Sequence, residues 1–446
     1  MTDAVMQEDV PSGPPGDIRP LLSPEHVGLV HRIHQRLIQE IDLAAVEKQP
    51  AEVARQTVEA TVRVLAAELG NGLYGETKEA VIKAVLDEAV GLGPIQSLVD
   101  DPSISEVMIN ASEEVYFERD GVIYLSPARF QDDVHIMRII ERIIAPLGRR
   151  VDEASPYVDA RLPDGSRVNV IIPPLVPRSP TVTIRKFRPE GFTVDDLIGK
   201  GTLTEPLVDF LRACIRLRLN TVISGGTGTG KTTLLNALSR FIPSAERIIT
   251  IEDPIELKLQ QRHVISMEAR PPNIEGRNQV TQRDLVRNAL RMRPDRIVVG
   301  EVRGPEAFDM MQAMNTGHEG SLTTVHANTT RDALARIENM ILMAGLDLPL
   351  RAIREQMASA LHLIVQLARF GDGRRMVINI AEITGMEGDI VTMQDLFRFE
   401  QSGVDEEGRV QGSVQPTGIR PTFADMFEQV GITFDWGGIT AGRWGN

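Results

Sequence analysis

Apolar residues recur at helical spacing through the first hundred residues of the chain. Segments such as GLVHRIHQRLIQEI and EAVIKAVLDEAV place them three or four positions apart, which predicts a helical N-terminal extension over 26–100. Residues 1–25 lack this pattern. Their acidic, Pro- and Gly-rich composition predicts a disordered head.

Between 101 and 190 the pattern changes to short strands interrupted by one helix. EVMIN precedes VYFER, an Asp-Gly pair and VIYL, and this order predicts a β-hairpin. Isoleucines at 136, 139, 140, 143 and 144 predict one apolar face of a helix. A second Asp-Gly pair at 164–165 predicts another turn. We therefore expect a small α+β domain here, followed by a linker over 191–204.

From 205 to 402 short β-branched runs alternate with helical segments. The runs are NTVIS, RIITIE, RIVVGE and SLTTVHA. This alternation is typical of an α/β domain with a mostly parallel sheet and helices on its faces. Further on, LRAIREQMASALHLIVQL predicts helix and MVINIAEITGMEGDIVTMQDLF predicts a hairpin. Residues 403–446 are Gly-rich, and we expect a C-terminal tail there.

The strongest chemical signal follows the run NTVIS. Residues 225–232 match the pattern GxxxxGK[ST] in full, and the segment after them predicts a helix. Glycines allow successive backbone N–H groups to surround phosphate oxygens, and a helix N-terminus adds partial positive charge. We expect Lys231 to reach the β- and γ-phosphates of ATP and Thr232 to place its hydroxyl on Mg²⁺. The residues expected to bind the nucleotide are Gly225, Gly226, Thr227, Gly228, Thr229, Gly230, Lys231, Thr232 and Thr233.

Titratable side chains close the later apolar runs. Glu252 closes RIITIE, Glu301 closes RIVVG, and His326 closes SLTTV, with His318 eight residues earlier. Because ligands of such sheets gather outside the carboxyl ends of the strands, we expect these groups in the site. The alternative is that they are ordinary polar residues at strand-to-loop junctions. A zinc site is disfavoured, since no Cys cluster or HExxH spacing accompanies the histidines.

Two other histidines have structural interpretations. His135 falls away from the apolar face of its predicted helix, and we expect it to be solvated. His362 falls in an apolar segment predicted as helix, and we expect a core residue with satisfied hydrogen bonds.

Composition narrows the class of protein. The net charge is -14 and aromatic residues make up 4% of the chain, which argues against a protein built to coat nucleic acid. The lone Cys214 excludes a disulfide framework within the chain and fits a reducing compartment. No secretory signal and no apolar run of bilayer length stands out. We therefore expect a cytoplasmic protein that has no membrane span of its own.

Four segments together resemble the type II/type IV secretion ATPase superfamily. They are GGTGTGKTT, ITIEDPIEL, LRMRPDRIVVGEVRG and GHEGSLTTVHAN, similar to its Walker A, Asp-box, Walker B and His-box motifs. The upstream stretches GLGPIQSLVDDPSISEVMIN and DARLPDGSRVNVIIPP resemble the CpaF branch, which serves Tad/Flp-type pili. Absence of a tetracysteine element disfavours the type II export and type IV pilus extension branches that contain one.

The resemblance implies a RecA-like ATPase domain, a hexamer, and ATP bound between the N-terminal and C-terminal domains. It implies that Glu301 orients or activates the attacking water, that Glu252 assists, and that His326 senses or stabilises the γ-phosphate. The strand 296–300 ends without the usual Asp for Mg²⁺. The ion is therefore expected on Thr232, phosphate oxygens and water, with Glu301 also close to it.

A basic cluster over 161–188 stands out in this acidic chain. It contains six Arg and Lys residues against the single Asp164. Planar guanidinium groups match phosphate oxygens, and the resemblance implies that arginines of the N-terminal domain contact the nucleotide. We expect this first of Arg161, Arg167 and Arg185. The alternative is a solvated basic hairpin, and Arg291, Arg293 and Arg303 are further candidates that could act between subunits.

The sequence thus predicts a hexameric motor ATPase that powers assembly of a Tad/Flp-type pilus, with retraction of the pilus left open. Its expected partners are inner-membrane platform proteins, and its expected place is the cytoplasmic face of that membrane. Three alternatives stay open: a type IV secretion ATPase that moves effectors or DNA, a nucleic-acid motor, and a non-catalytic scaffold gated by nucleotide.

Overall fold

The computed structural model divides into two compact units. They are an N-terminal unit, residues 1–189, and a C-terminal unit, residues 190–446. The described residues are 22–41, 51–70, 72–119, 121–187, 191–272, 277–405, 407–429, 433–435 and 440–442. Most of the head predicted over 1–25 therefore lies outside the described residues.

Helices form the first part of the N-terminal unit. Their bounds are α1 (Pro24–Glu40), α2 (Ala51–Leu69), α3 (Gly75–Val90) and α4 (Gln96–Asp100). Apolar side chains of α1, α2 and α3 share one buried core, because the helical spacing puts them on facing sides. Helices were predicted in this part of the chain, and the described residues confirm them.

A six-stranded antiparallel sheet forms the second part of this unit, in the order β3-β2-β1-β6-β5-β4. The strands are β1 (Ile104–Ala111), β2 (Glu114–Arg119), β3 (Val122–Leu125), β4 (Tyr157–Arg161), β5 (Arg167–Ile171) and β6 (Thr181–Arg185). Helix α5 (Asp133–Ile144) packs its isoleucine face into the core of this sheet, as the spacing predicts. The hairpin β2–β3 is also confirmed, although residue 120 of its turn lies outside the described residues.

His135 of α5 is buried, so the expectation of a solvated residue is wrong. Only 2% of its surface is exposed. Its Nε2 lies 2.8 Å from a carboxylate oxygen of Glu88 in α3, and its ring packs edge-on against Phe130. Helical spacing identifies the apolar face, but it does not show that another helix covers the polar side chain next to that face.

The C-terminal unit contains a nine-stranded sheet in the order β15-β14-β13-β12-β7-β11-β10-β8-β9. The strands from β12 to β9 in this order are parallel, and β12 to β15 are antiparallel. The parallel strands are β7 (Thr221–Gly225), β8 (Ile248–Glu252), β9 (Val264–Glu268), β10 (Arg296–Val299), β11 (Leu322–Val325) and β12 (Leu363–Arg369). The remaining strands are β13 (Arg375–Glu387), β14 (Ile390–Val404) and β15 (Val410–Pro416). A separate pair is β16 (Thr433–Asp435) and β17 (Thr440–Gly442).

Eight helices belong to this unit in the described ranges. They are α6 (Val194–Gly199), α7 (Glu205–Arg216), α8 (Lys231–Ser239), α9 (Gln282–Ala289), α10 (Glu306–Asn315), α11 (Thr330–Leu342), α12 (Leu350–Ala360) and α13 (Ala424–Gln429). Helices α6 and α7 precede the sheet, α8 to α12 lie between its parallel strands, and α13 follows β15. Two large apolar clusters contain buried side chains of the sheet together with those of the helices. The α/β class predicted for this part is therefore confirmed. No helix in the described part of the chain is long and apolar enough to cross a membrane.

The segment LRAIREQMASALHLIVQL was predicted as helix, and its second half is a strand. Helix α12 ends at Ala360, and β12 begins at Leu363. Residues 363–367 are all buried, between the neighbouring strands β7 and β13. A short run that is buried throughout has no period that distinguishes a buried strand from a helix. His362 lies between the two elements, and its Nδ1 accepts the N–H of Asn220 at 3.1 Å.

The sheet extends past the predicted domain end at 402. Strand β14 continues to Val404, and β15 pairs with it. Phe423 and Phe427 then pack around Phe210 in the core of the unit. At the other end, the predicted linker 191–204 includes α6, whose Leu197 is buried in the same core.

Candidate nucleotide-binding and hydrolysis site

The glycine-rich loop joins the central strand β7 to helix α8. Gly228 and Gly230 have φ of +70° and +93°, a conformation that glycine adopts without strain. A Cβ on Gly225 would lie 2.4 Å from Thr229 Oγ1 and 3.1 Å from the carbonyl oxygen of Leu367. The glycines at these positions therefore permit the loop to turn tightly between strand and helix.

Lys231 is folded back onto this loop. Its Nζ donates to the carbonyl oxygens of Gly225 and Gly226, both at 3.0 Å. The hydroxyl of Thr229 donates to Gly226 O at 2.9 Å. The ammonium group thus lies at the mouth of the loop, next to the backbone that would surround a phosphate.

Glu252 ends β8 and is buried, with 2% of its surface exposed. Its Oε2 accepts the N–H groups of Glu256 and Leu257 at 2.7 and 2.8 Å, whereas Oε1 has no hydrogen-bond partner among the described residues. Burial raises the pKa of this carboxyl to about 7, and the two N–H donors oppose part of that rise. The Glu252 side chain packs directly on Gly300, where a Cβ would lie 2.8 Å from Glu252 Cγ.

Glu301 follows β10, and its side chain is 25% exposed. Arg303 Nε donates to Glu301 Oε2 at 2.8 Å. Arg303, a candidate for action between subunits, therefore pairs with a carboxylate of its own chain. In the amide orientation that satisfies both neighbours, Gln282 donates to Glu301 O at 3.1 Å and accepts from Asp253 N at 3.3 Å. Gln282 thereby ties together the ends of β8 and β10.

His326 follows β11, which lies between β7 and β10 in the sheet. Its pKa is lowered by partial burial and by the positive charges of Lys231 and Arg336, while Glu301 opposes the shift. The imidazole is therefore neutral at pH 7, and one ring nitrogen can donate a hydrogen bond. Lys231, Glu301 and His326 are close enough to interact electrostatically at one edge of the sheet.

A cleft of about 410 Å³ opens beside His326. Its polar lining comes from the loop after β11 and from one face of α11: His326, Asn328, Asp332, Arg336 and Asn339. Solvent and small ions can therefore reach His326 from the α11 side.

His318 lies at the other edge of the sheet. It precedes β11, whereas His326 follows it, and a strand of four residues spans about 13 Å. Its surroundings include Ser321, whose hydroxyl donates to His318 O at 2.8 Å. The structure therefore does not bring the two histidines together. Arg291 and Arg293 likewise precede β10, whereas Glu301 follows it.

Arg161, Arg167 and Arg185 are neighbours on three adjacent strands of the N-terminal unit. Arg161 is opposite Arg167 in the β4–β5 pair, and Arg167 is opposite Arg185 in the β5–β6 pair. Adjacent like charges repel, and Glu106, opposite Arg185 in β1, offsets part of this repulsion with a carboxylate oxygen 3.8 Å from Arg185 Nε. Arg178 is outside the row and pairs with Glu114 through two bonds of 2.7 and 3.0 Å. The contact of the three arginines with ATP stays a prediction.

Two arginines beside the loop were missed by the sequence analysis. Nη1 of Arg369 lies 3.5 Å from the position that a Cβ on Gly228 would occupy, and Cδ of Arg375 lies 3.8 Å from that of Gly230. Arg369 ends a buried parallel strand, the same signal that marks Glu252, Glu301 and His326. The signal was hidden because the run before it was predicted as helix.

The donors at this edge fit a Mg²⁺ ion. Thr232 supplies a half-buried hydroxyl in the first turn of α8, and Oε1 of Glu252 is a buried oxygen without a partner among the described residues. Oxygen ligands are those that Mg²⁺ prefers. No group of three or more His, Cys, Asp or Glu side chains forms a metal site within the described ranges. Most ligands of the ion would therefore be phosphate oxygens and water.

The loop, its lysine and the acidic strand ends define a P-loop nucleotide hydrolase. The family described as "Type II/IV secretion system protein" matches residues 88–401, and the chain belongs to this family. The protein is therefore an ATPase, with the RecA-like ATPase domain of that family in its C-terminal unit.

Relatives agree with this family. The conjugal transfer protein TrbB of Rhizobium radiobacter is 33% identical over 299 residues, which are 65% of this chain and 86% of the relative. The type IV secretion system protein VirB11 of Bartonella quintana is 33% identical over 319 residues, 62% of this chain and 88% of the relative. The crystal structure of the VirB11 ATPase from the Brucella suis type IV secretion system, in complex with sulphate, is 29% identical. The match covers 64% of this chain and 94% of the Brucella suis chain, with a TM-score of 0.36.

Proposed function

We propose that this protein is a hexameric motor ATPase that powers assembly of a Tad/Flp-type pilus. Its partners would be inner-membrane platform proteins, on which it would act from the cytoplasmic side. The observation that supports an ATP-driven motor best is the grouping of Lys231, Glu301 and His326 around one glycine-rich loop. The pilus assignment rests on the upstream segments that resemble the CpaF branch.

The first step of the proposed mechanism is binding of the phosphates. Backbone N–H groups of the loop and the N-terminus of α8 attract the phosphate oxygens. Lys231 exchanges its two carbonyl acceptors for the β- and γ-phosphates, a stronger interaction because both partners are charged. A bound Mg²⁺ ion would neutralise phosphate charge. Thr232 and Glu301 are the residues proposed to lie nearest it, and Oε1 of Glu252 would be available to its water ligands.

The second step is the direction of water at the γ-phosphate. Arg303 binds Oε2 of Glu301 and fixes the carboxylate, so that Oε1 can accept a hydrogen bond from the attacking water. His326, neutral at pH 7, donates a hydrogen bond to the γ-phosphate. Loss of the γ-phosphate removes that contact, and this is the difference between the two nucleotide states that a motor needs.

Glu252 has a different proposed role from Glu301. Its pKa of about 7 makes the carboxyl partly protonated at neutral pH, which suits a group that assists rather than a permanent anion. Two N–H donors fix the carboxyl in place, with Oε1 left to interact with water or metal ligands.

A second candidate function is that of a type IV secretion ATPase that moves effectors or DNA. The names of the relatives favour it, since TrbB is a conjugal transfer protein and VirB11 a type IV secretion protein. Deletion of the gene in its own organism separates the two functions. Loss of surface pili supports the pilus motor, whereas intact pili with loss of conjugation or effector export support the alternative.

The substitution Glu301→Gln tests the hydrolytic site. We expect ATP turnover to fall about 100-fold or more, because an amide does not accept a proton from water as a carboxylate does. The affinity for Mg-ATP should stay within about threefold, since Lys231 and the loop are intact. Glu319→Gln, on the exposed loop before β11 at the other edge of the sheet, is the matched control. Unchanged turnover in Glu301→Gln would remove Glu301 from the proposed role.

A further inference from the structure

We propose that Arg369 binds the phosphates that ATP and ADP share, from the same chain as the glycine-rich loop. The inference rests on the ATP site proposed above and adds a residue outside its motifs. Arg369 is the last residue of β12, the strand that lies next to β7 on the side away from β11. The nucleotide site then has a cation on one side of the loop and Glu301 and His326 on the other.

The register of the two strands places Arg369 beside the loop. Leu367 of β12 is opposite Gly225, the last residue of β7, so β12 continues past the point where the loop begins. The guanidinium of Arg369 lies over Gly228, with Nη1 3.5 Å from the position of a Cβ. Gly228 has φ of +70° and no side chain, so the guanidinium reaches the backbone of the loop.

The position over Gly228 indicates which phosphates are involved. In loops of this type the backbone surrounds the α- and β-phosphates, while the lysine reaches the β- and γ-phosphates. Gly228 belongs to the backbone part of the loop, three residues before Lys231. The guanidinium would therefore meet the phosphates that ADP retains.

The charges around Arg369 favour an anion. Its side chain is exposed and has no hydrogen bond or ion pair to any residue in the described ranges. The loop contains no acidic residue, and Lys231 and the N-terminus of α8 add positive charge close by. Bringing a guanidinium beside these charges is unfavourable unless an anion binds between them, and a phosphate matches its planar donors.

Arg374 of the same hairpin shows what a structural arginine looks like. It donates to Asp372 at 2.6 Å and to the carbonyl of Val410, and it lies over the ring of Phe370. The contacts with Asp372 and Phe370 lie within the β12–β13 turn, and the bond to Val410 joins that turn to β15. Arg374 therefore serves as the control for loss of a positive charge from this hairpin.

Titration calorimetry with Mg-ATP and Mg-ADP on the full chain tests the proposal. We expect Arg369→Ala to weaken the binding of both nucleotides about 10- to 100-fold, and Arg369→Lys to weaken it less. Arg374→Ala should keep both affinities within about twofold, although it lowers the melting temperature.

Three results would overturn the proposal. One is equal affinity of Arg369→Ala and the wild type, which would leave the ATP site itself intact. Another is a loss of affinity in Arg369→Ala for Mg-ATP but not for Mg-ADP. A third is the same loss of affinity in Arg369→Ala and in Arg374→Ala. Wild-type protein that binds neither nucleotide would overturn the proposed function first and this inference with it.

Discussion

Two glutamates at neighbouring strand ends have different surroundings. Glu252 is enclosed by protein and bound by backbone N–H groups, and its pKa is raised to about 7. Glu301 is partly exposed and paired with Arg303. Pairs of carboxyl groups with such different environments are typical of sites that divide acid and base roles between them.

The buried carboxyl of Glu252 predicts a pH dependence of stability. Its pKa rises from 4.5 in the unfolded chain to about 7 in the folded one. The contribution of this group to the free energy of unfolding is therefore fully present below pH 4.5, decreases as the pH rises from 4.5, and is lost above 7. In nucleotide-free protein, the free energy of unfolding of Glu252→Gln minus that of the wild type should be about 2.5 kcal/mol larger at pH 8 than at pH 5. Urea unfolding of both proteins at the two pH values measures this. A constant difference between them would contradict the burial of an ionisable group.

At the residue scale, the sequence predicts groups that end recognisable strands. Glu252, Glu301 and His326 follow short β-branched runs, so the parallel sheet alone places them at one edge. His135 and Arg369 could not be found in this way. The surroundings of His135 depend on a helix 45 residues earlier, and those of Arg369 depend on which strand lies next to β7. Such neighbours are set by tertiary packing rather than by local pattern.

The loop between β7 and α8 predicts a contrast between two adjacent glycines. A Cβ on Gly225 would collide with Thr229 and the backbone of β12, whereas one on Gly226 meets nothing closer than 3.8 Å. Gly225→Ala should therefore cost about 1–3 kcal/mol of unfolding free energy. Gly226→Ala should change it by less than about 0.5 kcal/mol. Chemical denaturation of the two variants measures this, and equal losses would contradict the geometry of the loop.

At the scale of elements, periodicity predicts amphipathic helices and hairpins better than buried strands. Helix α5 and the hairpins β2–β3 and β13–β14 are present where the pattern indicates them. Strand β12 was missed because its residues are buried on both faces and show no alternation. The extension of the sheet to β15 was also missed, since the Gly-rich composition there hides a long edge hairpin.

For the whole molecule, net charge is a poor guide to the local field. The chain carries -14, yet Arg161, Arg167 and Arg185 form one cationic row in the N-terminal unit. In the C-terminal unit Lys231 and Arg369 lie beside the glycine-rich loop. Local groups of cations attract phosphate even in an acidic protein. The net charge therefore disfavours binding of long nucleic acids, but it is compatible with a nucleotide-binding site.

The most direct measurement is the binding of Mg-ATP to purified protein with and without the lysine of the loop. The wild type should bind Mg-ATP, and Lys231→Ala should weaken that binding about 100-fold or more, because the phosphates lose their charged partner. Lys258→Ala, an exposed lysine of the same unit, should bind as the wild type does. Equal binding by Lys231→Ala, or no binding by the wild type, would contradict the account of the site.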